Sequence, residues 1–245
     1  EIGVRLVGSE MCIRDRNCGR VYFVFQRARR TWRECRGGRA ACETEGGEKM
    51  IYFAGAGCGA ADLITVRGMK LLEKADVVIY AGSLVNPKLL EYTKDICTIY
   101  NSAKMTLEEV IHVIEKAEAE GKTTVRLHTG DPCIYGAIRE QMDILDEKNI
   151  AYDYCPGVSA FCGAASALNL EYTLPDISQS VIITRMEGRT PVPSKESIQS
   201  FAAHQATMVV FLSTGMLEEL SRRLIEGGYT AVSYTHLTLP TILRV

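Results

Sequence analysis

The sequence predicts an α/β fold made of two α/β domains, the second of them truncated. Three observations carry this. From Met50 onward, short β-branched runs alternate with longer segments of helical period, which is how a largely parallel sheet flanked by helices reads. Glycine-bearing loops follow several of these runs. The alternation restarts after a proline-bearing break at residues 169–178, but only two good strands follow before the pattern stops near Thr230.

The elements follow in order. Ile51 to Ala54 is a strand ending in Gly55-Ala-Gly-Cys-Gly59, and a helix follows with Asp62 as N-cap and Leu63, Val66, Leu71 and Leu72 as its buried stripe. Asp76 to Tyr80 is the second strand. Asn86-Pro87 then caps and starts a short helix reaching Lys94, because proline suits the first helical position. Ile96 to Tyr100 is the third strand. Thr106-Leu-Glu-Glu109 spells a capping box for a helix with Val110, Ile111, Ile114 and Ala117 inward, stopped by Gly121. Thr123 to His128 is the fourth strand, running into Thr129-Gly-Asp-Pro-Cys-Ile-Tyr-Gly136 and a helix to about Lys148. Tyr152 to Tyr154 leads into Pro156-Gly-Val-Ser159 and a small-residue helix, Ala160 to Leu168. In the second half come strand Val181 to Arg185, a helix from Ser194, strand Met208 to Leu212 and helix Met216 to Glu226. The domain plan is therefore a leader at 1–49, a first domain at 50–168, a connection at 169–178, a partial second domain at 179–230 and a tail at 231–245.

The net charge of -2 hides unlike parts. Residues 1–49 hold eleven Lys and Arg against seven Asp and Glu, with Arg27, Arg29, Arg30, Arg33, Arg36 and Arg39 close together. Residues 50–230 hold sixteen against twenty-three, an acidic surface that would repel a phosphate backbone and disfavours nucleic acid as a partner. Glu45-Gly-Gly-Glu-Lys-Met50 is what a translated ribosome-binding site would spell, with Met50 as the start. Arg5 to Arg16 and Ala231 to Val245 resemble translated sequencing-adapter read-through. The leader is thus expected to be non-native and unfolded or poorly ordered, the tail non-native, and Trp32 and His236 without function. Cys58, Cys97, Cys133, Cys155 and Cys162 form no C-x-x-C pair, so they read as reduced thiols of a cytoplasmic protein. No apolar run reaches the roughly 18 to 20 residues of a membrane span.

In parallel sheets ligands gather where the strands' carboxyl ends meet loops and helix N-termini. Three loops would lie there: Gly55 to Gly59, Gly130 to Gly136 and Pro156 to Ser159. The first fits G-x-G-x-x-A, a weak dinucleotide signal. Its ribose-binding acid should close the second strand, yet Asp76 stands at that strand's beginning and Tyr80-Ala-Gly82 at its end. The second loop is more specific: Pro132 fixes a backbone angle, while Asp131 and the surrounding carbonyls suit a cationic or amine-bearing ligand. Cys58, Cys133 and His128 match no common zinc spacing, so no metal site is expected. His128 reads as a hydrogen-bonded structural histidine at a strand end, and His112 and His204 as ordinary surface or core residues on helices.

In this order, Gly55-Ala-Gly-Cys-Gly59, Gly130-Asp-Pro-Cys-Ile-Tyr-Gly136 and Pro156-Gly-Val-Ser-Ala160 resemble the tetrapyrrole (corrin/porphyrin) methylase family over nearly all of residues 50–230. Within it, Tyr80-Ala-Gly-Ser-Leu-Val-Asn-Pro87, Asn101-Ser-Ala-Lys-Met-Thr-Leu-Glu-Glu109 and Gln179 to Pro193 are most similar to the precorrin-4 and cobalt-precorrin-4 C11-methyltransferases. Two departures stand out: Cys58 replaces the family's usual proline, and the end that completes the second domain in relatives is lost.

The resemblance implies S-adenosylmethionine held in a cleft between two domains and C-methylation of a corrin-pathway tetrapyrrole in cobalamin biosynthesis, by direct attack of the ring carbon on the methyl group. By position it assigns the cofactor to Cys58, Gly130, Asp131, Pro132, Ile134 and Tyr135, with Ser159 and Ala160 beside the adenosyl group and Leu212 on the second-domain side. Lys104, Arg185 and Arg189 are candidates for the macrocycle's carboxylates, and Asp131 for proton or charge management. Any cobalt would arrive with the substrate. A homodimer is expected of the full-length protein, without nucleic-acid or membrane partners. The rival readings are a nicotinamide-dependent oxidoreductase and an inactive fragment.

Overall fold

A computed structural model describes residues 3–7, 10–14, 50–188 and 190–229. Arg189, Trp32, His236 and the expected tail lie outside the described residues. In chain order the strands are β1 (Gly3–Val7), β2 (Glu10–Arg14), β3 (Ile51–Gly55), β4 (Val77–Tyr80), β5 (Thr98–Asn101), β6 (Thr124–His128), β7 (Tyr152–Cys155), β8 (Val181–Arg185) and β9 (Thr207–Phe211). The α-helices are α1 (Val66–Lys74), α2 (Leu107–Ala119), α3 (Arg139–Glu147), α4 (Ala160–Ala167), α5 (Ile198–Ala202) and α6 (Leu217–Glu226). The chain divides into two compact units between Ala160 and Phe161, with β1 and β2 joining the second.

In the first unit, the sheet order is β5-β4-β6-β3-β7 and every pairing is parallel. Such a sheet must be covered on both faces, and successive residues along its strands serve opposite sides. Ala54, Val78, Val125 and Leu127 pack with Leu72 of α1 and Leu89 of the 3-10 segment Pro87–Tyr92. Phe53, Val77 and Ile79 pack with Val110, Ile111 and Ile114 of α2 and Leu145 of α3. Full burial of a side chain such as Leu72 or Ile114 contributes about 1.5–3 kcal/mol.

α2 opens on the expected capping box: the Glu109 amide donates to Thr106 Oγ1 at 3.3 Å, and the Thr106 amide donates to Glu109 Oε2 at 2.8 Å. α1 corrects the sequence reading. Its N-cap is Thr65, which accepts the Gly68 amide at 3.1 Å, while Asp62 falls in a preceding 3-10 turn. Starting later turns the helix so that Gly68 and Leu72, four residues apart, form the buried stripe and leave Leu63 and Val66 exposed. β5 likewise starts two residues late, leaving Ile96 83% exposed. As an edge strand it has a neighbour only on the β4 side.

The second unit begins inside what the sequence reads as the first domain. The ring of Phe161 lies 6.0 Å from that of Tyr172, and the Tyr172 hydroxyl donates to the Phe161 carbonyl at 2.6 Å, which ties α4 to the segment after it. The expected connection is itself stitched down. Thr207 donates its amide to Ser178 Oγ at 3.0 Å and its hydroxyl to the Tyr172 carbonyl at 2.8 Å. β8 and β9 are parallel, and Met208, Val210, Ile198, Ala202, Leu220 and Leu224 form the core between them and α5 and α6.

Two strands precede residue 50: β2 pairs antiparallel with β9, and β1 with β2, giving the order β1-β2-β9-β8. The local reason is legible in hindsight. Two runs with apolar alternation flank Gly8-Ser9, the spacing of a two-residue hairpin, and β9 offers a free edge to receive it.

Candidate functional site

β6, β3 and β7 are adjacent and parallel, so the loops after them leave from the same edge of the sheet. The Ala56 amide donates to the His128 carbonyl at 2.7 Å. Gly57 and Gly130 then exchange both amide bonds, at 3.2 and 2.9 Å, so the first two loops form a short antiparallel bridge. The third loop closes against both. A Cβ on Gly55 would stand 2.5 Å from the Gly130 carbonyl oxygen and 2.6 Å from the Gly157 Cα, and a Cβ on Gly157 only 2.2 Å from that oxygen. Neither glycine is exchangeable, because three backbones meet where a side chain would have to go.

Asp131 ties the same loops by its side chain. Its Oδ2 accepts the Gly157 amide at 3.0 Å, and its Oδ1 accepts the Cys133 amide at 2.9 Å and the hydroxyl of Tyr154. The Cys133 amide is shared with the Tyr154 oxygen at 3.1 Å. Burial alone would raise the Asp131 pKa, but these donors outweigh it and hold the carboxyl below its ordinary value. Burial and the neighbouring carboxylate push the Tyr154 hydroxyl up, and burial with Asp131 does the same to the Cys133 thiol. Among the described residues no cation pairs with Asp131, so the shelf formed by these loops carries an ionised, uncompensated carboxylate. Beyond it, Tyr135 and Ala137 hold φ of 54° and 49°, a region costly for residues with a Cβ, and Tyr135 stands 44% exposed.

Two further side chains brace the shelf from outside. Thr65 directs its hydroxyl to the Pro156 carbonyl at 3.4 Å, and Asn86 donates Nδ2 to the Gly59 carbonyl at 2.8 Å while its Oδ1 caps Lys88 at 3.0 Å. Sequence reading found Asn86 only as a cap, placed Gly157 in a site loop without its Asp131 partner, and missed Thr65 and Tyr154 as site residues. Their partners lie 21 to 91 positions away, which local spacing does not show.

The expected cofactor residues Cys58, Gly130, Asp131, Pro132, Ile134, Tyr135, Ser159 and Ala160 all belong to these three loops or to the first residue of α4. Gly130 faces the start of α4: a Cβ built on it would lie 3.6 Å from the Ser159 Cα and 3.4 Å from the Ala160 amide nitrogen. Leu212 belongs to the other unit, where it leaves β9 with φ 55° and 55% exposure. Buried Ser213 fixes that bend by accepting the Met186 amide at 3.0 Å and donating to the Phe211 carbonyl at 2.7 Å.

Lys104 is exposed at the end of a 3-10 turn following β5. Arg185, expected as a candidate for the macrocycle's carboxylates, is engaged with its own loop. Nη1 donates to the carbonyls of Met186 and Thr190, each at 3.1 Å, and Nη2 to that of Pro191 at 3.0 Å, so the guanidinium organises its own loop.

His128 is 5% exposed, and among the described residues its Nε2 has no hydrogen-bond partner, which corrects the expectation of a hydrogen-bonded histidine. Burial, then the charge of Arg126, lower its pKa to about 3. It is a neutral core residue whose ring lies 6.2 Å from that of Phe53. Arg126, buried on the same strand, donates to Gln141 Oε1 at 3.2 Å and to the Ile79 carbonyl at 3.1 Å, and burial lowers its pKa to about 10.

Among the described residues no cluster of three or more His, Cys, Asp or Glu is placed to hold a metal, and no helix is long and apolar enough to cross a membrane. Asp76, the acid a dinucleotide site would need at the far end of β4, instead precedes the strand. There it accepts the Thr123 amide at 3.0 Å and pairs with Lys94 at 3.0 Å.

With this geometry in view, the sequence model of the tetrapyrrole (corrin/porphyrin) methylases matches residues 50–241. The chain is similar to the cobalt-precorrin-4 C(11)-methyltransferase of Methanocaldococcus jannaschii, 55% identical over 181 residues, covering 74% of this chain and 70% of that protein. Among solved structures, a cobalt-precorrin-4 methyltransferase described as a cobalamin biosynthetic enzyme matches with a TM-score of 0.72 and 44% identity, over 74% of this chain and 76% of that one. A uroporphyrin-III C-methyltransferase from Thermus thermophilus, complexed with S-adenosylhomocysteine, shares the fold at a TM-score of 0.61 and 24% identity, over 74% and 73% of the two chains.

Proposed function

Because the chain belongs to the tetrapyrrole methylase family, and with it to the S-adenosylmethionine-dependent methyltransferases, we propose that its acceptor is cobalt-precorrin-4, methylated at C11 in cobalamin biosynthesis. The family match overturns the nicotinamide reading, and the position of Asp76 agrees with that. The observation that carries the proposal is the meeting of three strand-end loops at Gly55, Gly130 and Gly157.

The residues present fit the cofactor. The shelf combines close-packed backbone with an ionised, cation-free carboxylate, which favours a positively charged sulfur over an anionic ligand. When bound, S-adenosylmethionine supplies a methyl group activated by its sulfonium. Gly130 to Tyr135 with Cys58, Ser159 and Ala160 would hold it, and Leu212 remains a proposed contact. The chain's own work is then alignment and exclusion of water, with no activated protein nucleophile. Lys104 is retained as a partner for a carboxylate of the macrocycle. A homodimer and a cytoplasmic location complete the proposal.

Calorimetric titration with S-adenosylhomocysteine and NAD side by side tests the cofactor, with heat expected from the first. Heat from NAD alone would reverse the reading. Incubation with cobalt-precorrin-4 and S-adenosylmethionine should add one methyl mass to the acceptor; methylation of uroporphyrinogen III instead would reassign the substrate.

A further inference from the structure

We propose that Tyr154 is a positioning residue for the cofactor, its hydroxyl pinning Asp131 between the Gly130 and Pro156 loops so that the carboxylate serves as a clamp. This rests on the cofactor reading above and deepens it.

The geometry assigns three of the roughly four lone-pair directions of Asp131 to donors within the chain. Tyr154 and the Cys133 amide occupy Oδ1, and the Gly157 amide occupies Oδ2. Both oxygens are thus held by backbone or side-chain donors from two loops and a strand, which fixes the carboxylate in place. Tyr154 is the part of this arrangement anchored in the sheet. It lies in β7 in register with Phe53 of β3, and its oxygen accepts the Cys133 amide while donating to Asp131. The Gly130 loop is thereby fastened to a strand rather than merely to another loop. The titratable groups facing Asp131 are Tyr154 from β7, Cys133 from its own loop and Cys155 from the end of β7. Tyr154 keeps its proton and Asp131 stays ionised, which is the state the clamp needs.

The test is calorimetric titration of the full chain with S-adenosylhomocysteine across a pH series, for wild type, Tyr154→Phe and Asp131→Asn, with thermal unfolding measured on each. Tyr154→Phe should leave the unfolding temperature nearly unchanged, weaken binding about tenfold at pH 7, and move the acid limit of binding to higher pH. Asp131→Asn turns an acceptor oxygen into a donor facing amide N–H groups, so it should weaken binding further and abolish that acid limit. A Tyr154→Phe protein that binds like wild type at every pH overturns the clamp, as does an Asp131→Asn protein of undiminished affinity. Absence of binding by wild type overturns the cofactor reading itself, a different failure from equal binding by wild type and variants.

Discussion

The Asp131 carboxylate accepts the Gly157 amide at 3.0 Å, joining loops that start from β6 and β7, two strands separated in the sheet by β3. β3 can lie between them without blocking the bond because its exit residue is Gly55, which has no side chain to fill the gap.

A methyl group at Gly157 should therefore break the shelf. Its Cβ would meet the Gly130 oxygen at 2.2 Å and the Gly55 Cα at 2.7 Å, both backbone atoms that cannot rotate away. Gly157→Ala should cost about 1–3 kcal/mol of stability and most of the affinity for S-adenosylhomocysteine. Gly188→Ala, with nothing within 4 Å of its added methyl, should match wild type in unfolding temperature and titration. Equal behaviour of the two variants would refute the close-contact account.

The sequence reveals some of this and hides the rest for a physical reason. The capping box at Thr106, the inward positions Val110, Ile111, Ile114 and Ala117, and the bounds of β8 are fixed by neighbours a few residues away, so period and capping chemistry show them. The three loops could be placed at one edge because parallel topology requires it. What holds them together could not be read, since Tyr154 with Asp131, Thr65 with Pro156 and Asn86 with Gly59 are long-range pairs formed only once the sheet exists. Arg185 shows a further limit: its charge suggests a ligand, and spacing could not show that its guanidinium also holds the carbonyls of Thr190 and Pro191.

His128 should make stability fall on mild acidification. Its folded pKa of about 3 lies below the ordinary value of 6.5 that the unfolded chain recovers. The unfolded state therefore gains a proton that the folded state refuses, and the penalty grows from pH 6.5 downward. By pH 4.5 the loss is about 2–3 kcal/mol. The stability that Asp131 adds through its depressed pKa is present above the ordinary carboxylate value and is lost only as pH falls through that value, largely below this window. Denaturant unfolding at pH 7.0 and 4.5 should show the loss in wild type and much less of it in His128→Leu. Identical pH slopes in the two proteins would remove His128 as the cause.

Arg185→Ala should release the segment from Met186 to Pro191, since three carbonyls lose a charged donor together. The expected cost is about 1–2 kcal/mol, with faster amide hydrogen exchange confined to that stretch. Arg185→Lys restores the charge but not the planar fork, so it should recover less than half of the protection. A variant with wild-type exchange but weakened acceptor binding would return Arg185 to the substrate role that its geometry argues against.

Asn86 allows the fold and the shelf to be separated with one atom. Its Oδ1 caps the 3-10 segment at Lys88, and its Nδ2 holds the Gly59 carbonyl at 2.8 Å. Asn86→Asp keeps the cap and replaces the donor with an oxygen that repels Gly59, whereas Asn86→Ala loses both bonds. The alanine variant should lose about 1–2 kcal/mol through the missing cap and the missing hydrogen bond. The aspartate variant should unfold closer to wild type yet bind S-adenosylhomocysteine no better than the alanine variant does, because the glycine loop depends on the donor and not on the cap. Thermal unfolding paired with calorimetric titration separates the two contributions, and an aspartate variant with wild-type affinity would show that the Gly59 loop holds its shape without Asn86.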